Sequence, residues 1–187
     1  MILVIQAALA KDSARLDELV LVDALDREIG AATKEVAHIQ GLLHRAFSVV
    51  ITRVVNGETQ VLLARRASCK YHCAGLWGNS CCSHPRVGED LMQAAYRRVP
   101  EELGCAVRNL REIGSFMYRV EFANGLAEYE YDHVLVGSLE GEVAPPVDEV
   151  DAVWWVTAPK LVELLTSQPD LFAPWARTVL PMVLRVL

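Results

Sequence analysis

The side chains that could do chemistry gather in two short segments of this sequence. Asn79–Glu89 reads NSCCSHPRVGE and contains thiols and an imidazole, and Glu101–Gly104 reads EELG and adds paired carboxylates. A cysteine beside a histidine that could bind a metal, followed by a helix that ends in paired glutamates, suggests an acid/base site. We expect this site to act on a diphosphate ester with the help of a divalent metal ion.

The helix that carries the glutamates is predicted from its hydrophobic spacing. Between Glu89 and Leu103 the apolar residues recur at three- and four-residue steps, which is the pattern of a helix with one buried face. Gly104 then stands where a helix is expected to stop. Pro100 interrupts the pattern, and because proline lacks an N–H and its ring clashes with the preceding turn, at a cost of about 3 kcal/mol, we expect a distortion near it.

The remaining elements are predicted to be mostly strands. Asn56-Gly57 marks a hairpin turn between two of them, and Ala123–Gly125 joins two others. Two helices that each have proline near the start, Pro159–Thr166 and Pro174–Leu187, close the chain. Strands, a helix, strands and then helices in this order predict an α+β fold with a mixed sheet. The predicted strands are Leu19–Ala24, Leu42–Arg53, Gln60–Ala64, Glu112–Phe122, Glu128–Leu139 and Ala152–Val156.

Length and charge limit the class of protein. A chain of 187 residues, 52% hydrophobic and 22% charged, can bury one sizeable core, so we expect one domain. Its net charge of -6 argues against a general nucleic-acid surface, because binding a phosphate backbone needs clustered Lys and Arg. A small anionic substrate is compatible with this charge, since its binding depends on a few local cations and a metal ion and not on the net charge.

The N-terminus and the cysteines indicate the compartment. The apolar start MILVIQAALA has no basic region ahead of it, and Lys11, Asp12 and Arg15 follow too soon for a membrane span. Five cysteines, with Cys81 and Cys82 adjacent, do not form the even framework of a disulfide-stapled exported domain. We therefore expect a cytoplasmic protein with free thiols and no association with membranes.

Six motifs also occur in a characteristic order. They are GLLHRAFSV at Gly41–Val49, RRAS at Arg65–Ser68, NSCCSHP at Asn79–Pro85, EELG at Glu101–Gly104, EYE at Glu128–Glu130 and PW at Pro174-Trp175. In this order they resemble the type 1 isopentenyl-diphosphate delta-isomerases, a branch of the Nudix fold. The resemblance implies a Nudix-like mixed β-sheet sandwiched by helices, in one isomerase domain over residues 19–187. Residues 1–18 are then an N-terminal extension of unknown role.

The resemblance implies an isomerisation of isopentenyl diphosphate to dimethylallyl diphosphate. In that reaction a proton moves across a three-carbon allylic unit through a carbocation-like intermediate. By resemblance Cys82 is the catalytic thiol, Glu130 faces it across the substrate, Tyr118 assists the proton transfer, and the ring of Trp175 lies against the developing cation. We expect a nearby divalent cation to favour the thiolate by lowering the pKa of Cys82.

A five-ligand metal site is implied in the same way. Glu128 and Glu130 share one face of a strand, because residues two apart point to the same side. The resemblance adds His38, His44 and His84 as ligands. A mixed nitrogen and oxygen set leaves the ion open among Zn²⁺, Mn²⁺ and Mg²⁺. The alternative for His38, whose register is the least secure, is a surface histidine on a loop.

The diphosphate is assigned to a second group of residues. The resemblance gives cationic contacts to Lys34, Arg66, Lys70 and Arg98, and it makes Glu102 the ligand of a second Mg²⁺ that bridges diphosphate oxygens. Since Arg65 and Arg66 alternate across a strand end, we expect one of the two to reach the substrate. The expected partner is thus a small allylic or homoallylic diphosphate, bound by a monomer or weak homodimer.

Two other functions are compatible with parts of this pattern. A Nudix diphosphohydrolase would carry REUxEExGU on the helix, where U is aliphatic, but Arg97–Cys105 reads RRVPEELGC. Arg98 stands in place of a carboxylate that hydrolysis needs, which favours the isomerase. The second alternative is a zinc-stabilised binding protein without catalysis. Its soft ligands would come from Cys69, His72, Cys73, Cys81 and Cys82.

Overall fold

The sheet is organised around one long strand, β3 (His44–Val55). A computed structural model describes residues 18–70 and 72–187 of the chain. Over this part β3 pairs in parallel with β8 (Ala127–Glu140), from His44 opposite Glu130 to Thr52 opposite Ser138. Strands β1, β4 and β6 pair with other stretches of β3 in the antiparallel sense. The sheet is therefore mixed, as the order of elements predicts.

The other strands extend the sheet on both sides. Strand β8 also pairs antiparallel with the long β7, β4 pairs with β5 and β9, and β1 forms a hairpin with β2. The bounds are β1 Glu18–Val22, β2 Glu28–Thr33, β4 Glu58–Arg66, β5 Trp77–Gly78, β6 Cys81–Ser83, β7 Ala106–Glu121 and β9 Val150–Thr157. The α-helices are α1 Lys34–Gln40, α2 Leu91–Leu103, α3 Ala158–Ser167 and α4 Ala176–Leu184, and a 3₁₀ helix spans Pro169–Leu171.

Helices cover both faces of the sheet because its strands are apolar on both sides. Phe47, Val49 and Ile51 pack in a cluster with the buried face of α2. Val50, one position out of phase, packs in a second cluster with residues of α3 and α4 such as Leu180. Alternate residues of one strand thus feed two cores, which is the arrangement of a sheet sandwiched by helices. The predicted α+β fold class is confirmed.

Local signals placed several boundaries correctly. Asn56 and Gly57 have φ values of 52° and 81°, which is the pair of positive angles of the predicted tight hairpin turn. Helix α2 begins after Asp90, which caps the amides of Met92 and Gln93, and it ends at Gly104 with φ of 64°. A Cβ at Gly104 would lie 2.2 Å from a backbone oxygen of Ala144, so only glycine fits. The helix runs through Pro100 to Leu103 without a break.

Two elements before β3 are absent from the sequence-based prediction. Strand β2 (EIGAAT) is mostly exposed and carries few bulky residues, and α1 (KEVAHIQ) is only two turns long. Such segments give a weak hydrophobic period. Helix α1 is bounded instead by a Thr33 side-chain cap and by Gly41 in a left-handed conformation. The predicted extension over residues 1–18 falls, except for Glu18, outside the described residues.

Among the helices of the described residues, none combines the length and the apolar character that a membrane crossing needs.

Candidate active site and metal centre

Strand register brings three candidate residues together at the centre of the sheet. His44 on β3 is the partner of Glu130 on β8, and Glu130 is also the partner of Tyr118 on β7. Glu128 and Glu130 are both buried whereas Tyr129 between them is half-buried. The predicted sharing of one face by the two glutamates is confirmed, and it follows from the two-residue period of the strand.

The three predicted histidines form one cluster. Potential ligand atoms of His38, His44 and His84 all lie within 4.8 Å of one another. His38 is buried on α1, so the alternative of a surface histidine on a loop is wrong. The Nδ1 atom of His44 lies 2.8 Å from the carbonyl oxygen of Leu42 and donates to it, which leaves the lone pair on Nε2. That nitrogen is oriented for a metal ion.

Two carboxylates and a phenol complete the inner site. Glu130 Oε1 lies 2.9 Å from Nε2 of His84 and 3.6 Å from Nε2 of His44. The hydroxyl of Tyr118 lies 2.6 Å from Glu130 Oε2 and 2.9 Å from Glu128 Oε2. Because a carboxylate only accepts, Tyr118 is the donor between them. The phenol has one hydrogen, which the shorter distance assigns to Glu130, and its oxygen lies between the two glutamates.

The protonation states suit a divalent cation. Burial lowers the pKa of His38 to about 3 and also lowers the pKa of His84, so both imidazoles are neutral at pH 7. Burial opposes ionisation of Glu130, but its contacts with His44 and His84 hold its pKa well below the usual value. Neutral imidazoles and ionised carboxylates are the forms that bind metals, and the set fits a borderline or hard divalent ion. The donors do not select among Zn²⁺, Mn²⁺ and Mg²⁺.

Cys82 is fixed by short contacts on the neighbouring strand β6. Its backbone pairs with Ser48 of β3, and its Sγ lies 3.0 Å from Oδ1 of Asn79 and 3.6 Å from Oγ of Ser48. Asn79 is itself tied to the carbonyl oxygen of Val49. Burial and the nearby carboxyl group of Asp132 raise the pKa of Cys82. The protein alone thus favours the neutral thiol, and the predicted lowering of this pKa would have to come from a bound ion.

Two residues of this site, Asp132 and His72, are not assigned to it by the sequence. Asp132 continues the alternation of Glu128 and Glu130, is buried, and accepts a hydrogen bond of 2.8 Å from Ser48. The two-residue period of β8 was the signal that could have found it. His72 was considered only as a zinc ligand, yet its Nε2 lies 2.8 Å from Glu128 Oε1.

Two cavities meet at Cys82 and Trp175. The inner one, of about 50 Å³, contains the thiol, Tyr118 and both glutamates in its wall. The outer one, of about 170 Å³, is surrounded by the predicted diphosphate-binding residues. Arg66 lines both cavities whereas Arg65 lines neither, so Arg66 is the one of the two arginines that is placed to reach a substrate there. The outer cavity is lined by Lys34, Arg66, Lys70, Arg98 and Glu102, among others.

Two cations of the outer cavity, Lys70 and Arg98, are ion-paired with glutamates. Lys70 Nζ lies 2.6 Å from Glu149 Oε2, and the Arg98 guanidinium bridges Glu101 and Glu102. Burial raises the pKa of Glu102, against the opposing effect of Arg98. An incoming dianion would have to take over these cations from their carboxylate partners.

Trp175 closes the site from the side of α4. The residue is buried, and its ring lies 6.5 Å from the ring of Tyr118 between centroids. The guanidinium carbon of Arg66 lies 5.3 Å from the Trp175 ring centroid. A cation therefore already lies near this indole, which agrees with a ring that can stabilise positive charge.

The zinc-binding alternative gains no support from the thiols. All five cysteines lie within the described residues and are free. Cys69 is exposed and its Sγ contacts the carbonyl oxygen of Asp148. The one cluster of three or more potential ligands found in the part of the chain that the structure describes consists of the three histidines.

Comparison with known proteins places these features in a family context. The family model described as NUDIX domain matches residues 43–183. Isopentenyl-diphosphate Delta-isomerase 2 of Photorhabdus laumondii is 46% identical over 166 residues, covering 88% of this chain and 92% of that protein. Isopentenyl-diphosphate Delta-isomerase of Burkholderia multivorans is 45% identical over 159 residues, covering 85% of this chain and 88% of that protein.

Solved structures agree on the fold. DR0079 from Deinococcus radiodurans superposes with a TM-score of 0.62 at 16% identity, over 81% of this chain and 90% of that one. A MutT Nudix hydrolase from Burkholderia pseudomallei gives 0.59 at 24% identity, over 75% and 98% respectively. At these identities the likeness concerns the fold alone.

Proposed function

We propose that this chain, which belongs to the Nudix family and to its isopentenyl-diphosphate Delta-isomerase branch, isomerises isopentenyl diphosphate to dimethylallyl diphosphate. The observation that carries the proposal is the shared inner cavity of Cys82 and Glu130, which opens beside a cavity lined by four cations. A thiol and a carboxylate around one small buried space are the two proton-exchanging groups that an allylic shift needs.

The reaction is a balanced exchange of two protons. One group delivers a proton to the terminal carbon of the double bond, and the π electron pair forms the new C–H bond. The other group removes a proton from the carbon nearer the diphosphate, and that C–H electron pair forms the new double bond. We assign these exchanges to Cys82 and Glu130 from opposite sides of the hydrocarbon, with Tyr118 donating its hydrogen bond to Glu130 throughout.

The cation-like intermediate needs a polarisable neighbour and protection from water. Trp175 and Tyr118 both line the inner cavity, and Trp175 is 4% exposed. A desolvated cation–π contact stabilises a positive charge by about 2 kcal/mol or more. The small volume of the inner cavity excludes bulk water, which would otherwise trap the intermediate as an alcohol.

We assign the metal to His38, His44, His84, Glu128 and Glu130. A bound Mn²⁺, Mg²⁺ or Zn²⁺ would supply a fixed positive charge beside Glu130 and Cys82. The protein's part is to hold Nε2 of His44 at 3.6 Å and Nε2 of neutral His84 at 2.9 Å from Oε1 of ionised Glu130. Glu102, at the outer cavity, is the proposed ligand of a Mg²⁺ that arrives with the diphosphate.

The diphosphate is assigned to the outer cavity. Lys34 begins α1, Arg66 ends β4, and Lys70 and Arg98 reach the same space from a loop and from α2. Four cations from four segments surround a small anion without making the protein basic overall, which agrees with its net charge of -6. Arginine offers planar bidentate contacts and lysine a compact charge.

The hydrolase alternative is disfavoured by the same helix. Arg98 stands where the hydrolase pattern REUxEExGU has its first glutamate, and it forms ion pairs with Glu101 and Glu102. A guanidinium there neutralises a carboxylate that would otherwise help to bind metal and activate water. No observation in the described residues favours hydrolysis over isomerisation.

Phosphorus and proton NMR of one reaction mixture tests the proposal. The metal-loaded protein is expected to convert isopentenyl diphosphate to dimethylallyl diphosphate with both phosphorus signals of the diphosphate retained. Release of inorganic phosphate or diphosphate without allylic isomer would instead establish a hydrolase. We further propose a cytoplasmic enzyme that works as a monomer or weak homodimer, in agreement with its five free thiols.

A further inference from the structure

A fourth histidine enters the inner site from a loop that joins the two cavities. His72 lies between β4 and β5, two residues after Lys70, and it is 7% exposed. It lines the inner cavity together with Cys82, Glu128 and Trp175. Its position is therefore within the proposed active site, although it is none of the five residues assigned to the metal.

The contact between His72 and Glu128 has a defined direction. The Nε2 atom of His72 lies 2.8 Å from Glu128 Oε1, and both side chains are at least nine-tenths buried. Since a carboxylate has no hydrogen to give, Nε2 carries the hydrogen and donates it. The hydroxyl oxygen of Tyr118 lies 2.9 Å from the other oxygen of Glu128, but its one hydrogen is closer to Glu130. His72 is therefore the donor assigned to Glu128, and each oxygen of Glu128 keeps a lone pair for a metal ion.

Packing leaves the ring of His72 little freedom. It stacks on Phe122 with ring centroids 4.6 Å apart and an interplanar angle of 13°. It meets Trp175 edge-on, at 6.1 Å and 86°. The backbone is held as well, because the carbonyl oxygen of His72 accepts a hydrogen bond of 3.3 Å from Arg66. A ring fixed on both sides is suited to orienting its hydrogen-bond partner.

We propose that His72 is a positioning residue that holds Glu128 in the orientation required for metal binding. Hydrogen bonds to ligating carboxylates fix their geometry, and loss of such a partner typically lowers metal affinity about 10- to 100-fold. The inference rests on the proposed function only in assigning Glu128 to the metal. His72 also lies close to two residues assigned to the diphosphate: Lys70 is on the same loop, and Arg66 donates a hydrogen bond to the His72 carbonyl oxygen.

Metal affinity of His72→Phe and His72→Gln tests the proposal. Phenylalanine keeps the stack on Phe122 and removes the donor, whereas glutamine restores an N–H close to the place of Nε2. Competition of the apo-proteins against a chromophoric chelator for Mn²⁺ and Zn²⁺ gives the affinities. We expect His72→Phe to bind about 10- to 100-fold more weakly than the wild type, and His72→Gln to recover most of that loss.

A double-mutant cycle with Glu128→Gln locates the effect. If His72 acts through Glu128, the double variant binds metal no more weakly than Glu128→Gln alone. Wild-type affinity in His72→Phe, equal losses in the Phe and Gln variants, or additive losses in the cycle would each overturn the proposal. His133→Phe is the matched control, because this histidine also contacts two carboxylates, Asp26 and Glu112, but outside both cavities; it is expected to bind metal normally.

Two further readouts separate this inference from the function and from folding. The wild-type isomerase assay tests the proposed function whatever the variants do to metal binding. Thermal unfolding of each apo-variant reports whether the fold is intact. Should His72→Phe fail to fold, a second cycle combines His72→Gln with Glu128→Gln. That cycle still decides whether His72 and Glu128 are coupled in metal binding.

Discussion

The inner and outer cavities are built in opposite ways. The inner cavity takes most of its polar lining residues from strands β3, β4, β6, β7 and β8, where the register fixes which side chains meet. The outer cavity takes its cations from a helix start, a strand end, a loop and α2, and two of them, Lys70 and Arg98, are paired with glutamates. One is a site assembled by the sheet, and the other is a set of charges that must change partners.

This difference teaches where substitutions should act. Groups held by strand register stay in place without substrate, so their removal should reduce the chemical step itself. Groups that exchange partners lose an ion pair when the substrate binds, and this loss offsets part of the binding energy that they contribute. Their removal should raise KM more than it lowers kcat.

The largest effect is expected at the thiol of the inner cavity. Cys82→Ala removes one of the two proton-exchanging groups, and we expect kcat to fall by about 10³-fold or more. Cys105→Ala is the matched control, since this cysteine is buried in the core beside α2 and outside both cavities. Steady-state isomerisation, with circular dichroism as the check of folding, measures both. Normal turnover by Cys82→Ala would remove the acid/base assignment.

A loss almost as large is expected at Glu130. The substitution Glu130→Gln removes the charge that His44 and His84 stabilise and that Tyr118 contacts. We expect kcat to fall by about 10²-fold or more and metal affinity to fall with it. The two quantities are measured on the same preparation, with excess Mn²⁺ in the kinetic assay. A variant that keeps turnover at saturating metal would show that Glu130 serves only as a ligand.

A smaller effect is expected where the inner cavity contributes polarisability rather than a proton. Trp175→Leu removes the aromatic face, and a loss of about 2 kcal/mol in the transition state corresponds to about thirtyfold in kcat. Trp175→Phe keeps an aromatic face that binds a cation more weakly, so its kcat should lie between that of the wild type and that of Trp175→Leu. Equal rates for the Phe and Leu variants would mean that the ring acts by packing alone.

The smallest effects are expected in the outer cavity, where two substitutions should change KM in opposite directions. Lys70→Ala removes a diphosphate contact and should raise KM by about tenfold with kcat retained. Glu149→Gln releases Lys70 from its ion pair and should lower KM by at most about fivefold, since a partly exposed pair contributes at most about 1 kcal/mol. Substrate titrations at two salt concentrations measure both. If both variants raise KM, Glu149 does not compete with the substrate.

One feature of the inner site could be predicted from the sequence for a physical reason. Alternation along β8 was enough to place Glu128 and Glu130 on one face, because the strand period is fixed by the backbone. The assignment of Cys82 and of the histidines came from motif resemblance, and the structure brings His38, His44 and His84 together. No local pattern predicted α1, which is short and is defined by its caps.

Pairings between distant segments were beyond the sequence. Lys70 and Glu149 are 79 positions apart, and His72 and Glu128 meet only because a loop folds over the sheet. Such contacts depend on tertiary packing that propensity and periodicity do not encode. The raised pKa of Cys82 belongs to the same class, since burial and the carboxyl group of Asp132 cause it.

Deuterium uptake from D₂O tests the central claim most directly. The claim is that two groups of one buried, metal-dependent cavity exchange protons with the two ends of an allylic unit. The metal-loaded protein is expected to place deuterium in both isopentenyl and dimethylallyl diphosphate, and EDTA is expected to stop the uptake. If the intact, metal-loaded protein leaves both compounds free of deuterium, the account is contradicted.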